Sequence, residues 1–237
     1  AIAARADLFD ARHEAAFRLF NGFAEGCPEL VADLYARTLV LHNYADPPEA
    51  AHETVLGAQQ FFQSQLPWLQ AVVLKTRNGQ TPDERCGAII GGGTPDRKIR
   101  DPKGGVWYAV DLRLNRDASF YLDTRNLRRW ALDHLGDKTV LNTFAYTGSL
   151  GVAATAGGAR RVVHLDRSRA FLNFAKDSYT LNGFPIHKPD FITGDFWERV
   201  SRFKRAGETF DCVFLDPPFF AESDTGIVDL VNQSHRL

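Results

Sequence analysis

Residues 139–166, TVLNTFAYTGSLGVAATAGGARRVVHLD, constrain the fold more than any other part of the chain. Val140 and Leu141 read as a short buried strand, and Thr147-Gly148-Ser149 as a tight turn. Leu150 to Ala156 read as a helix start rich in small residues, and Val162 to Leu165 as a second strand that closes on Asp166. Strand, turn, helix and strand in that order build an open parallel sheet, whose ligand crevice lies outside the carboxyl ends of its strands. A carboxylate at the second tip can accept hydrogen bonds from a ribose diol, so the stretch reads as a nucleoside-cofactor site. Only Gly148 and Gly151 fall in the turn, short of the G-x-G-x-x-G spacing. The plain alternative is therefore a structural strand-turn-helix capped by Ser149. Asn142, Phe144 and Tyr146 stand where a pyrophosphate binder needs bare backbone amides, and their bulk favours a cofactor without a diphosphate.

The rest of this half extends the pattern. Ser168 can cap a helix reaching Leu181, with Phe171, Phe174, Ala175 and Tyr179 on one face and Asn182-Gly183 as its close. Phe191 to Thr193 read as a third strand with Asp195 just past its end. Asp195 can accept from an adenine amino group while Phe196 packs on the ring, or it can serve the N-terminus of the helix from Phe196 to Lys204. A fourth strand, Phe210 to Leu215, runs into Asp216-Pro217-Pro218-Phe219. The two prolines fix φ and remove two backbone donors, leaving carbonyls and a carboxylate as acceptors beside an aromatic face. Such a pocket suits a flat base; the alternative is a strand stopped by prolines beside a core phenylalanine. Ahead of the first of these strands, Phe120 to Leu122 read as extended, and Thr124 to Leu135 as a helix with Leu127, Trp130, Ala131 and Leu135 inward. Asp123 and Arg125 then border the crevice, or act as a cap and its ion-pair partner.

The first half reads as a small α+β domain, residues 1–116, ahead of an α/β domain, residues 117–237. Leu8, Ala11, Ala15, Ala16 and Leu19 give residues 3–20 helical spacing, stopped by Asn21-Gly22. Residues 30–34 and 38–42 form a hairpin around Tyr35-Ala36-Arg37. Pro47-Pro48 start a helix through Gln65, with Val55, Leu56, Phe61, Phe62 and Leu66 as core and Pro67 as its end; residues 71–75 and 106–112 are strands. Residues 77–105 read as loop, where Arg97, Lys98, Arg100 and Lys103 form either a basic lip for phosphate or a solvated loop balanced by Asp96 and Asp101.

Composition sets the outer limits. A chain of 237 residues with net charge −1 and 24% charged residues is expected to be soluble, and no run of about 18 apolar residues suits a membrane span. Cys27, Cys86 and Cys212 are odd in number and far apart, which fits a reducing, cytoplasmic setting and no metal site. Methionine is absent, and residues 228–237 read as the middle of a helix. Both suggest a piece of a longer protein, or residues left out of the numbering.

The second domain resembles the class I S-adenosylmethionine-dependent methyltransferases, and among them the bacterial 23S ribosomal RNA methyltransferases of the cytosine-C5 and guanine-N7 large-subunit group. The resemblance rests on YLDTR at 121–125, VLNTFAYTGSLGVAA at 140–154, VVHLDRS at 162–168, LNG at 181–183 and FDCVFLDPPFF at 210–220. It extends into the first domain through residues 17–44. It implies a Rossmann-like sheet, here truncated before its later strands, and S-adenosyl-L-methionine as cofactor. It implies that Asn142, Phe144, Tyr146, Thr147 and Gly148 line the methionine and ribose side, that Asp166 meets the ribose, that Asp195 with Phe196 meets the adenine, and that Arg167 belongs to the cofactor site. Asp216, Pro217, Pro218 and Phe219 would lie between methyl donor and target, in a direct displacement. Some relatives use a covalent cysteine either just after the DPP or in a later strand; Phe219 and Phe220 stand at the first of these places, the second is left open, and Cys212, ahead of the motif, is expected to be buried and inert. RNA, ribosomal by this resemblance, is the expected partner, with a homodimer allowed. The phosphate grip would then be local, drawn from Arg125, Arg128, Arg129, Arg160, Arg161, Arg202, Lys204 and Arg205. A small-molecule or protein methyltransferase, a cofactor-binding adaptor without activity and a nicotinamide oxidoreductase are the alternatives.

Overall fold

The computed structural model describes residues 1–101, 104–223, 226–229 and 231–232. It divides into two units, Ala1–Leu122 and Asp123–Leu237.

Unit 1 is built on a five-stranded sheet of order β1-β2-β3-β4-β5. Its elements are β1 (Ala16–Asn21), α1 (Gly22–Glu25), β2 (Leu30–Tyr35), β3 (Thr38–Asn43), α2 (His52–Gln65), β4 (Ala71–Thr76), α3 (Pro82–Cys86) and β5 (Ala88–Gly92). The tight turn at Ala36, with φ 51°, makes β2 and β3 the expected antiparallel hairpin, while α2 carries the chain over to β4, parallel to β3. Phe17, Leu19, Leu34, Leu39, Leu41 and Val72 meet Val55, Phe62 and Leu66 in one core. On β4, Lys75 is buried, and its ammonium donates to the carbonyls of Cys86, Asn115 and Asp117 at 2.6, 2.7 and 3.1 Å. Burial lowers its pKa to about 8. A separate ribbon pairs β6 (Lys98–Arg100) with β7 (Trp107–Ala109).

Several expectations fail in this unit. The N-terminal segment is a 3-10 turn, Ala3–Leu8, followed by strand β1 rather than one helix. The Asp10 carboxylate accepts from the amides of Arg12, Glu14 and Ala15, which turns the chain, and Phe17 and Leu19 then alternate inward with period two. The helix after Pro47-Pro48 starts as a 3-10 turn, Pro48–Ala51, and leaves Leu56 and Phe61 exposed. The supposed loop at 77–105 contains α3, β5 and β6, with Gly91 and Gly92 inside β5. Its cations are engaged: Arg97 pairs with Asp111, Arg100 with Glu14, and Lys98 lies 4.5 Å from the Trp107 ring. Asp96 binds Arg37 and Thr38 instead of balancing them, and Lys103 lies outside the described residues. The strand expected at 106–112 is only β7, and residues 120–122 are irregular.

Unit 2 contains α4 (Arg125–His134), β8 (Thr139–Thr143), α5 (Ser149–Ala156), β9 (Arg161–Asp166), α6 (Arg169–Asn182), β10 (Phe191–Thr193), α7 (Phe196–Ala206), β11 (Cys212–Leu215), β12 (Phe220–Ser223) and β13 (Gly226–Asp229). Four strands form an all-parallel sheet of order β10-β9-β8-β11, which is the α/β fold the sequence implies. One apolar cluster packs α4 and α5 on Val140, Val162 and Phe214; another packs Phe196 on Leu141, Val163 and Leu165. On α4, Ala131 and Leu135 point inward as expected, but Leu127 and Trp130 are exposed and Arg128 is buried in their place. Residues 228–229 extend as part of β13 rather than lying within a helix, because β12 pairs with them in antiparallel register; residues 230 and 233–237 lie outside the described residues.

Candidate cofactor site at the strand tips

Parallel pairing brings the carboxyl ends of four strands into one row. Thr193 of β10 pairs with Asp166 of β9, Leu165 of β9 with Thr143 of β8, and Thr143 with Leu215 of β11. Along that edge stand, in order, Asp195, Asp166, the loop after Thr143, and Asp216. Strands lie about 4.8 Å apart, so the row spans about 14 Å. The three acids are thus brought to one edge, although β8 stands between the tips of β9 and β11.

The loop after β8 is held in a sparsely populated backbone state. Phe144, Tyr146 and Gly148 have φ of 49°, 51° and 80°. Left-handed backbone costs a non-glycine residue about 1–2 kcal/mol, and here the neighbouring strand holds it in place. The Ala145 amide donates to the Leu165 carbonyl at 3.0 Å, and the Tyr146 amide to Asp166 Oδ2 at 2.8 Å. Asp166 Oδ1 accepts from the Ser168 amide at 2.8 Å. Burial pushes the Asp166 carboxyl up, against backbone amides that pull it down. Gly148, not Ser149, is the N-cap of α5, and a Cβ there would lie 2.5 Å from that of Ala175. Thr147 is buried within the loop.

Beneath the loop lies a residue that sequence reasoning passed over. His164, fully buried, stacks on Phe191 at 4.9 Å between ring centroids. Its Nδ1 is 3.4 Å from Asn142 Nδ2 and its Nε2 3.1 Å from the Tyr179 hydroxyl, which is 2.6 Å from Thr155 Oγ1. A Cβ on Gly151 would sit 2.3 Å from His164 Cε1. Asn142 is therefore bonded below the loop, and its amide braces the floor. Burial alone lowers the imidazole pKa to about 3. The available signal was a polar ring inside the apolar run Val162–Leu165, opposite two glycines three residues apart.

At the β10 end, Asp195 caps α7, accepting from the amides of Trp197 and Glu198 at 2.9 and 3.3 Å. Phe196 is buried and stacks on Phe144 at 4.8 Å, linking the first and third strand loops. Arg167 donates from Nη1 to the Glu222 carbonyl at 2.9 Å. At the β11 end, Thr143 Oγ1 donates to the Phe214 carbonyl at 2.7 Å, and Asp216 follows Leu215 at the open edge. Burial, with the charge of Asp123 second, raises the Asp216 carboxyl. That influence places Asp123 near Asp216; Arg125 begins α4 two residues on. Phe219 is 80% exposed, so its ring is available to a partner and does not serve the core. Cys212 is half-buried, and burial pushes its thiol up, away from nucleophilic use.

A family model described as S-adenosylmethionine-dependent methyltransferase matches residues 18–236. The chain is 34% identical over 207 residues to Ribosomal RNA large subunit methyltransferase I of Aeromonas salmonicida, covering 87% of this chain and 52% of the relative. It is 33% identical over 215 residues to the protein of that name from Tolumonas auensis, covering 90% and 54%. The chain thus spans about half the length of these curated relatives. Among solved structures, SMU.776 complexed with SAH superposes with a TM-score of 0.85 at 21% identity, over 99% of this chain and 59% of that one. A SAM-dependent methyltransferase from Agrobacterium tumefaciens gives a TM-score of 0.61 at 20% identity, over 94% and 66%. At those identities the likeness is one of fold.

Proposed function

The chain belongs to the S-adenosylmethionine-dependent methyltransferase family, and from that premise we propose that it methylates a base of large-subunit ribosomal RNA at the β8–β11 end of the strand-tip row. The observation that carries this reading is the row itself, three acids and one left-handed loop along the edge of a single parallel sheet. The backbone of the loop after β8 supports the cofactor reading. The φ of 80° at Gly148 lets the chain turn tightly into α5, and the close approach of Ala175 leaves no room for a side chain there. Phe144 and Tyr146, rather than glycines, occupy the left-handed positions ahead of Gly148, which favours a cofactor without a diphosphate.

S-adenosylmethionine supplies a methyl group on a sulfonium centre. Asp166, whose two oxygens are already oriented by the Tyr146 and Ser168 amides, would accept from the ribose hydroxyls. Asp195 and Phe196 would receive the adenine. Asn142, Phe144, Tyr146, Thr147 and Gly148 would form or brace the methionine side, with Arg167 at its border. Asp216, Pro217 and Pro218 would present acceptors to the target amine, and exposed Phe219 a face for its ring. Alignment of nucleophile, methyl and leaving sulfur is then the main catalytic contribution, since well-oriented reactants gain many powers of ten in rate. Burial, with the charge of Asp123 second, raises Asp216, which makes Asp216 a better proton acceptor than a solvated carboxylate. The reading includes a cytoplasmic setting and a metal-free transfer. Light scattering would distinguish a monomer from a homodimer.

The test is calorimetric titration of the chain with S-adenosylhomocysteine and with NAD, alongside Asp166→Ala. The expected result is micromolar binding of the thioether, lost in the variant, and no NAD binding. Binding of NAD alone, or of neither, would overturn the reading. Transfer of labelled methyl to 23S ribosomal RNA, with small molecules and protein in parallel reactions, then separates the substrate classes. Binding without turnover on any of them would instead indicate an adaptor.

A further inference from the structure

The segment after the Asp216-Pro217-Pro218 motif does not leave the sheet edge. It turns into the β12–β13 hairpin, with Phe220 paired to Asp229 and Glu222 to Ile227. Two contacts fix where that hairpin lies. The Glu222 carbonyl accepts from Arg167, which directly follows the tip of β9, two strands from β11. Gly226 lies against Trp197 in the first turn of α7, which follows β10, three strands from β11; a Cβ on Gly226 would be 2.4 Å from the indole Cδ1. The hairpin therefore crosses the carboxyl edge from the tip of β11 to that of β10, a reach of about 14 Å that its length easily covers.

We propose that Arg167 and Trp197 are positioning residues that hold the β12–β13 hairpin over the strand tips as a cover for the donor crevice, so that cofactor release waits on the hairpin. This rests on the cofactor reading above and adds what closes the site. Arg167 acts through one charge-assisted bond to a main-chain oxygen, which any side chain in β12 would allow. Trp197 lies so close to Gly226 that a Cβ there would meet the indole at 2.4 Å, which gives Gly226 a packing reason. The hairpin is also continuous with Phe219, so its position sets where that ring stands. A cover of this kind excludes water from the reacting groups and couples target placement to donor binding.

The test uses the whole chain. Amide exchange in residues 220–223 and 226–229 is followed with and without S-adenosylhomocysteine, and dissociation of the thioether is timed by stopped flow. Protection of these amides on binding is expected, with dissociation about tenfold faster in Arg167→Ala and within about threefold of wild type in Arg167→Lys, which keeps a donor. Gly226→Ala, which pushes the hairpin off Trp197, should also speed dissociation and expose the hairpin amides. Unchanged exchange with the thioether bound, or an unchanged dissociation rate in Arg167→Ala, overturns the cover alone. No binding by the unaltered chain overturns the cover together with the cofactor reading.

Discussion

His164 contributes to stability because its site accepts only a neutral ring. With a folded pKa of about 3 against an ordinary value of 6.5, the unfolded chain binds the extra proton first as pH falls. The contribution is therefore complete above pH 6.5 and is lost as pH falls toward 3, roughly 2 kcal/mol of it by pH 5. Urea midpoints measured at pH 7 and pH 5 should fall more steeply for the natural chain than for His164→Gln, which has no proton to gain. Parallel falls in the two proteins would show that the ring is not what titrates. A single sequence hides this role, because a histidine in an apolar strand can point either way until its neighbours Gly148, Gly151 and Tyr179 are placed. Asp195 shows the opposite limit. Both its readings, helix cap and adenine acceptor, were visible in the sequence, and the structure shows the capping contacts while leaving the acceptor role to be measured.

At the scale of elements, the β8-loop-α5 unit depends on two glycines for different reasons. Gly148 needs its left-handed φ and has Ala175 at its back; Gly151 has the buried imidazole. Gly148→Ala should cost about 2–4 kcal/mol, from strained backbone and overpacking together, and should weaken thioether binding. Gly151→Ala should cost about 1–3 kcal/mol, and combining it with His164→Ala should cost less than the sum of the two, since the second change removes the clash. Strict additivity in denaturant titrations would refute that contact. This unit was legible in the sequence because strand propensity, turn chemistry and the small-residue helix all agree. Residues 3–20 were not, since Ala11, Ala15, Ala16 and Leu19 satisfy helical spacing while Ala15, Phe17 and Leu19 also alternate, and the Asp10 turn that decides between them is set by hydrogen bonds to Arg12, Glu14 and Ala15. The β12–β13 hairpin was missed because the two prolines read as an end, whereas Phe220 onward finds antiparallel partners in residues 226–229.

For the molecule as a whole, a net charge of −1 leaves little general attraction for a polyanion, so the phosphate grip depends on which cations reach the crevice. In unit 2 most do not. Arg128 is buried with Nη1 on Thr124, Arg129 pairs with Asp133, Arg161 with Asp190 and Glu208, and Arg202 with Glu198. Arg160 directly precedes β9 and Arg161 is its first residue, while Lys204 and Arg205 end α7, which runs back against the strands. All four therefore stand at the amino edge of the sheet, away from the row of tips. Of the eight expected cations, Arg125, at the start of α4 and two residues after Asp123, is the one left on the side of the strand tips. Each neutralised phosphate of a single strand contributes about −0.7 to the slope of log affinity against log salt. Anisotropy titrations of a ribosomal RNA fragment between about 50 and 200 mM salt should then give a shallow slope, no steeper than about −2. Arg125→Ala should flatten it further. A slope of about −5 or steeper would mean that phosphates are gripped by a surface other than the strand-tip edge, and would move the search for the RNA path away from unit 2. A shallow slope, with affinity lost in Phe219→Ala, would mean that the target is held through its base more than through its backbone.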